Sequence, residues 1–233
     1  MDSKVRGMSD SRVLLITGAS TGIGAATARQ ATEAGWRVAL AARSADKLEA
    51  LAGEIDGALA IPTDVTKWED NEAMVARTLE QHGRLDAVFA NAGFGGARGW
   101  LKGEPDEWRD MVLTNVLGAA YTVRAALPAL KDSKGHVLIT SSVAGRRVLP
   151  GSFYSVTKHA VTAMAEAIRQ DVNDTGIRVT SIEPGMVDTP FFDNRPTDAL
   201  EADDIARAVM YALSQPPHVD VNEMLIRPTA QAG

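Results

Sequence analysis

The chain has 233 residues, 45% apolar and 23% charged, the balance of a soluble globular protein of one α/β domain, long enough to bury a core without cross-links. It has no cysteine, which excludes disulfides, thiolate metal ligands and cysteine nucleophiles. A net charge of −6 without a long basic run argues against a nucleic-acid or anionic-membrane partner.

In chain order, the first segment, MDSKVRGMSDS, is polar and lacks the apolar core of a secretory signal. Residues 1–11 are expected to form a mobile tail, and 12–233 a single domain. No stretch approaches the roughly 20 apolar residues that span a bilayer. A cytoplasmic location, with no membrane partner, is the expectation.

VLLIT at 13–17 predicts a first strand, and GIGAATARQATEAG a helix closed by Gly35. Between them lies TGASTGIG. Its Gly18, Gly22 and Gly24 are spaced G-x-x-x-G-x-G rather than the commoner G-x-G-x-x-G. Glycines in a first strand-to-helix turn let backbone N–H groups approach a pyrophosphate, and the helix start adds partial positive charge. The plain alternative is an ordinary turn.

RVALAA at 37–42 is the second strand, followed by a helix over SADKLEALAGEI. Where dinucleotide sites carry an acid for the ribose hydroxyls, this strand ends in Ala42 and Arg43. A guanidinium there suits a 2′-phosphate, so NADP(H) is favoured over NAD(H). Thr21 adds no second positive charge.

ALAIPTD holds the third strand. TKWEDNEAMVARTLEQHG predicts a helix with Thr66 and Glu69 in capping-box spacing. LDAVFANAG is the fourth strand, HVLITSS the fifth, IRVTSIEPG the sixth and EMLIRPT the seventh. Long helices are expected near 104–131 and 151–175. Alternation of this kind implies parallel strands joined by right-handed crossovers, with both sheet faces covered. The predicted fold class is α/β: a Rossmann-type doubly wound, mainly parallel seven-stranded sheet in a three-layer α/β/α sandwich.

Several motifs in this order resemble the short-chain dehydrogenase/reductase family, in its single-domain branch, over about residues 12–229. TGASTGIG is similar to its cofactor turn, which implicates Gly18, Ser20, Thr21, Gly22, Ile23 and Gly24. Asp64 and Val65 match the pair after the third strand, where the aspartate meets the adenine. Asn91, Ala92 and Gly93 match the motif that steadies the sheet beside the cofactor. Pro184 and Gly185, with Val187 and Thr189 after them, match the nicotinamide-side loop. Asn115, the serine of SSVAG, and the Tyr154–Lys158 pair match the catalytic set. Of the two serines, Ser142 has the matching VAG after it, while Ser141 has the commoner thirteen-residue spacing to the tyrosine; Ser142 is taken. The segment MVDTPFFDNRPTDAL is short for the family's substrate lid. The ending EMLIRPTAQ is similar to the branch containing clavaldehyde, serine and 3-hydroxy acid dehydrogenases.

The resemblance implies an NADP(H)-dependent oxidoreductase acting on a small carbonyl or secondary alcohol. Tyr154 would exchange the proton, and Ser142 would bond the substrate oxygen. Lys158, four residues on along the helix, would lower the phenol's pKa and, in the family, hold the nicotinamide ribose. Asn115 would help anchor a water in a proton relay to Lys158. Tyr154 and Lys158 are therefore expected to serve both catalysis and cofactor binding. A tyrosine and lysine at this spacing, taken alone, more often mark a helix surface. A catalytically silent NADP(H)-binding sensor or scaffold is the alternative function. A longer-branch epimerase or dehydratase would need a different glycine spacing and a larger C-terminal region. Phe191 and Phe192 are candidates for the substrate pocket or for lid packing. His82, His136 and His218 lack metal-ligand spacing, so no metal site is expected. His159 is read as structural or solvent-facing, and Asp203 and Asp204 as a helix start. Alanine-rich faces on the two long helices suggest a homodimer or homotetramer.

Overall fold

The computed structural model describes residues 11–192 and 194–231. The predicted tail lies almost wholly outside them. At Ser11 the backbone carbonyl accepts from the Arg37 guanidinium at 3.2 Å.

The first strand, β1 (Val13–Thr17), is buried at every residue. Its side chains alternate between two cores: Val13 and Leu15 face one, Leu14 and Ile16 the other. This is why the strand reads as an unbroken apolar run. Two helices, α1 (Gly22–Glu33) and α2 (Ala45–Glu54), bury Ala28 and Leu48 in the second core. Helices α3 (Trp68–His82), α5 (Ala119–Ser133) and α6 (Phe153–Asp171) bury Met74, Ala126 and Val161 in the first. Helix α7 (Ala202–Ser214) returns to the second core through Ile205 and Val209. The result is a three-layer sandwich.

The remaining sheet strands are β2 (Arg37–Ala42), β3 (Leu59–Pro62), β4 (Ala87–Ala90), β5 (His136–Thr140), β6 (Arg178–Pro184) and β9 (Glu223–Ile226). They run in the order β3-β2-β1-β4-β5-β6-β9. Every pairing in this sheet is parallel, which sharpens the expected "mainly parallel". After β3 the chain crosses from one side of β1 to the other to make β4. A crevice opens at such a switch point, at the carboxyl ends of the strands.

Three local expectations change. The capping box at Thr66 and Glu69 does not form. Helix α3 starts one residue later, with Lys67 as its N-cap, and the Thr66 hydroxyl donates to Asp64 Oδ1 at 2.8 Å. A reciprocal box forms at Glu201 and Asp204, at the start of α7. The helix expected near 104–131 is α4 (Pro105–Met111), a π-helical segment at Val112–Gly118, then α5, which closes at Lys134 in a left-handed conformation. Finally, two short strands, β7 (Val187–Asp188) and β8 (Leu200–Glu201), pair within the stretch read as a lid.

Candidate active site

The switch-point crevice is a cavity of about 930 Å³ running from the glycine turn to Phe191 and Phe192. That is near the upper end of ordinary ligand-site volumes. All the residues expected to bind cofactor line it except Gly24. The glycines are there for steric reasons. Gly18 has φ +64°, and a Cβ on it would come within 2.9 Å of Ala92 Cα. Gly24 packs the start of α1 against the turn; a Cβ there would strike the Gly18 carbonyl and lie 2.9 Å from Ala19 Cα. Gly24 therefore shapes the turn without facing the cavity.

Helix α1 begins here with no side-chain bond from its N-cap, Thr21. Its first N–H groups lack intrahelical partners, and Thr21, Gly22 and Ile23 face the cavity. That is a cradle for an anion such as a pyrophosphate. Arg43 and Asp64 line the same end. Burial opposes ionisation of Asp64. The Thr66 hydroxyl and N–H, with Lys67 and Arg43, outweigh it and hold the carboxyl below its usual range. The residues present fit a phosphorylated dinucleotide.

Asn91 binds the strand ends together. Its Nδ2 donates to the Thr17 carbonyl at 3.1 Å, and its Oδ1 accepts from the Thr140 hydroxyl at 3.0 Å. The tips of β1, β4 and β5 are thereby tied in one bond network.

At the other end, α6 presents Tyr154 and Lys158 on one face. Lys158 is 3% exposed, and its Nζ donates to the Thr140 carbonyl at 2.7 Å. Burial lowers its pKa to about 8. The ammonium lies 5.6 Å from the centre of the Tyr154 ring. Burial of the phenol pushes its pKa up to about 12, with the Ser142 hydroxyl pulling the other way. Desolvation of the phenolate is the larger effect at this depth.

The two adjacent serines separate cleanly. Ser141 is 1% exposed, its hydroxyl held between the Lys158 carbonyl at 3.1 Å and the Thr162 hydroxyl at 2.7 Å. Ser142 is the one beside the phenol. Its Oγ accepts from Ala144 N–H at 3.1 Å and donates to the Pro184 carbonyl at 3.3 Å. Just downstream, Arg146 grips the buried Glu183 with two bonds, at 2.7 and 2.8 Å. That pair joins the serine turn to the strand end leading into Pro184.

Asn115 sits in the π-helical segment, 1% exposed and off the cavity wall. Its Oδ1 accepts from Phe94 N–H at 3.0 Å. Its Nδ2 donates to the Phe94 carbonyl at 2.9 Å and to the Thr157 hydroxyl at 3.1 Å. The amide is spent on clamping the loop after Gly93 to α6. These bonds use both amide hydrogens, while Oδ1 can still accept a second hydrogen bond.

Sequence reading missed the Thr140 carbonyl, Thr157 and Gln231, which also lines the cavity. The first acts through its backbone, and the other two lie within stretches that were read, between Tyr154 and Lys158 and at the end of EMLIRPTAQ, but were given no role there. Phe191 lies edge-on to Tyr154, ring centres 5.6 Å apart, and rests against Gly95. His159 is exposed, its Nδ1 2.8 Å from the Ser155 carbonyl. Among the described residues, no group of three or more His, Cys, Asp or Glu side chains could hold a metal ion, and no helix is long and apolar enough to cross a membrane.

Residues 12–200 match the family described as short chain dehydrogenase. An uncharacterized oxidoreductase of Staphylococcus aureus (strain MRSA252) is 41% identical over 224 residues, covering 93% of this chain and 97% of that one. An alcohol dehydrogenase from the archaeon Thermococcus sibiricus, solved with 5-hydroxy-NADP, superimposes with a TM-score of 0.90 at 34% identity, over 96% of this chain and 99% of that one. A 3-ketoacyl-(acyl-carrier-protein) reductase from Brucella melitensis, solved with NADH, gives 0.88 at 28% identity, over 94% and 97%.

Proposed function

Since the chain belongs to the short-chain dehydrogenase family of oxidoreductases, we propose that it is an NADP(H)-dependent enzyme interconverting a small carbonyl compound and its secondary alcohol. The bound nicotinamide would supply or accept the hydride. One observation carries the reading: a single cavity has an uncapped helix start and Arg43 at one end, and Tyr154, Lys158 and Ser142 at the other.

The roles of the side chains follow from their surroundings. A phenol with its pKa pushed up to about 12 keeps its proton at neutral pH, so Tyr154 is a proton donor to a substrate oxygen gaining negative charge. Ser142, beside it, donates a second hydrogen bond to that oxygen. Lys158 is mostly protonated at pH 7 and keeps a positive charge near the phenol as it gives up its proton. Asn115 acts at one remove, by fixing the loop after Gly93 against α6. At the far end, the N–H groups of the turn would hold the pyrophosphate, Asp64 the adenine and Arg43 the 2′-phosphate. Gly18, Ser20, Thr21, Gly22 and Ile23 form that cradle, with Val65 and Asn91–Gly93 along one wall. Pro184, Gly185, Val187 and Thr189 also line the cavity.

The NADP preference is supported by Arg43 and by the 5-hydroxy-NADP in the Thermococcus sibiricus relative; the Brucella melitensis relative carries NADH. The deciding experiment follows absorbance of the reduced nicotinamide with NADPH and NADH across a panel of aldehydes and ketones. Oxidation of NADPH in preference to NADH is expected. NADPH binding without turnover on any carbonyl would move the protein to the sensor reading. We also propose a single domain, a cytoplasmic location and a homodimer or homotetramer. The helical stretches expected to pair leave Leu117 and Val156 exposed, and light scattering should give a mass of at least two chains.

A further inference from the structure

The ending EMLIRPTAQ has no part in the proposed chemistry, yet the fold turns it back onto the site. Strand β9 runs beside β6 with Pro184 opposite Ile226. Gly185 N–H then donates to the Ile226 carbonyl at 2.7 Å. Beyond the strand, buried Pro228 opens a turn that is closed by Gln231 N–H donating to the Pro228 carbonyl at 3.0 Å. The turn lays the Gln231 side chain over Gly185, where its Oε1 accepts from Met186 N–H at 2.9 Å. A Cβ on Gly185 would strike that oxygen and lie 3.1 Å from Arg227 Cγ. Glycine at 185 leaves room for the Gln231 side chain to dock this closely.

Met186 is also held from its other side. Its carbonyl accepts from Leu200 N–H, at the start of β8, at 2.9 Å. Both polar backbone groups of this residue are therefore fixed, one by the chain's ending and one by a short strand. Met186 begins the segment that carries Val187, Thr189 and Phe191. Thr189 packs on the glycine turn, since a Cβ on Gly22 would lie 3.2 Å from Thr189 Cβ. Phe191 packs edge-on against Tyr154. Moving Met186 would displace both contacts, because the segment reaches the turn and the tyrosine within five residues.

We infer that Gln231 is a positioning residue that sets where the segment 186–192 sits against the cofactor turn and Tyr154. The inference rests on the dinucleotide reading above for its effect on binding, but not for the hydrogen bond itself. Two substitutions in the full chain separate the possibilities. Gln231→Ala removes the acceptor, whereas Gln231→Glu keeps an oxygen that can accept from Met186 N–H.

Two measurements are needed. Without cofactor, amide hydrogen exchange at Met186 should be several-fold faster in Gln231→Ala and close to wild type in Gln231→Glu. NADPH binding, followed by its fluorescence, should weaken about fivefold in Gln231→Ala, the size of one net hydrogen bond, and recover in Gln231→Glu. Unchanged exchange in Gln231→Ala would overturn the inference, as would unchanged NADPH affinity or a Gln231→Glu variant that behaves like the alanine. If the wild type binds no NADPH, the cofactor reading falls, and the exchange at Met186 still decides whether Gln231 holds the segment.

Discussion

At the glycine-turn end of the cavity, positions are set by main chain. Gly18 and Gly22 have positive φ, the NAG loop presses on Gly18, and Asn91 bonds the strand tips together. At the other end, Tyr154 and Lys158 stand on α6, but Phe191, edge-on to Tyr154, is carried by a loop. Phe191 and Phe192 are 41% and 36% exposed, and Trp100 and Leu101 more so. Gly95 lies under the Phe191 ring and Gly96 under the Glu107 carboxylate. The first end is a fixed mould for one kind of ligand; the second is a surface that a few substitutions would reshape. A fold can keep its cofactor while its substrate changes because the two demands fall on different kinds of structure.

The sharpest way to break this contrast is at the junction of the two ends. Tyr154→Phe should cut turnover about a thousandfold, the scale of a lost general acid, and leave NADPH affinity within twofold. Equal loss of both would make Tyr154 a structural residue and merge the two ends.

Lys158→Met should also abolish turnover, but raise stability at neutral pH by about 2 kcal/mol. The sign comes from the lowered pKa. Between about 8 and 10.5 the unfolded chain holds a proton that the fold has released, so wild-type stability rises with pH across that window. The cost of burying the ammonium is full below about 8. The gain from methionine should therefore shrink from pH 7 to pH 10 in thermal melts. A gain independent of pH would mean that Lys158 keeps the same proton in the folded and the unfolded chain, with no lowered pKa.

Arg43→Ala tests the mould alone. NADPH affinity should fall about tenfold while NADH affinity holds, since only one of the two carries the 2′-phosphate. Equal effects would remove Arg43 from that role. The smallest effect is expected at the loop-built end. Phe191→Ala should raise the KM for a carbonyl substrate about threefold, with little change in NADPH affinity or melting temperature. A large loss of NADPH binding there would show that the two ends are one unit.

The mould was largely legible in the sequence because its demands fall on residue type. Only glycine tolerates the close approaches at Gly18 and Gly24, and an arginine at the end of β2 is visible as a charge. The Tyr154–Lys158 pair stood out only with the motifs upstream of it, since its spacing alone more often marks a helix surface. Less legible was what each polar group spends itself on. Asn115 was expected to help anchor a water, and nothing local shows that its amide also bonds Phe94 and Thr157, the latter forty-two residues away. The capping box expected at Thr66 does not form, since α3 starts one residue later, with Lys67 as its N-cap. Gln231 was invisible because its partner, Met186 N–H, is a backbone group on a distant segment.

By itself the sequence determined the order of strands and helices, the residues that must be glycine, and the set of side chains able to move a proton. Those follow from periodicity, sterics and chemistry, which act locally. Tertiary structure decided that Ser141 is held against α6 while Ser142, the serine already favoured by its motif, lies beside the phenol, and that burial raises the pKa of Tyr154. It also decided that the turn at Pro228–Gln231 comes back onto Met186. Each of these depends on what a group is packed against once the β-strands are in register, and adjacent residues in an extended chain point to opposite sides.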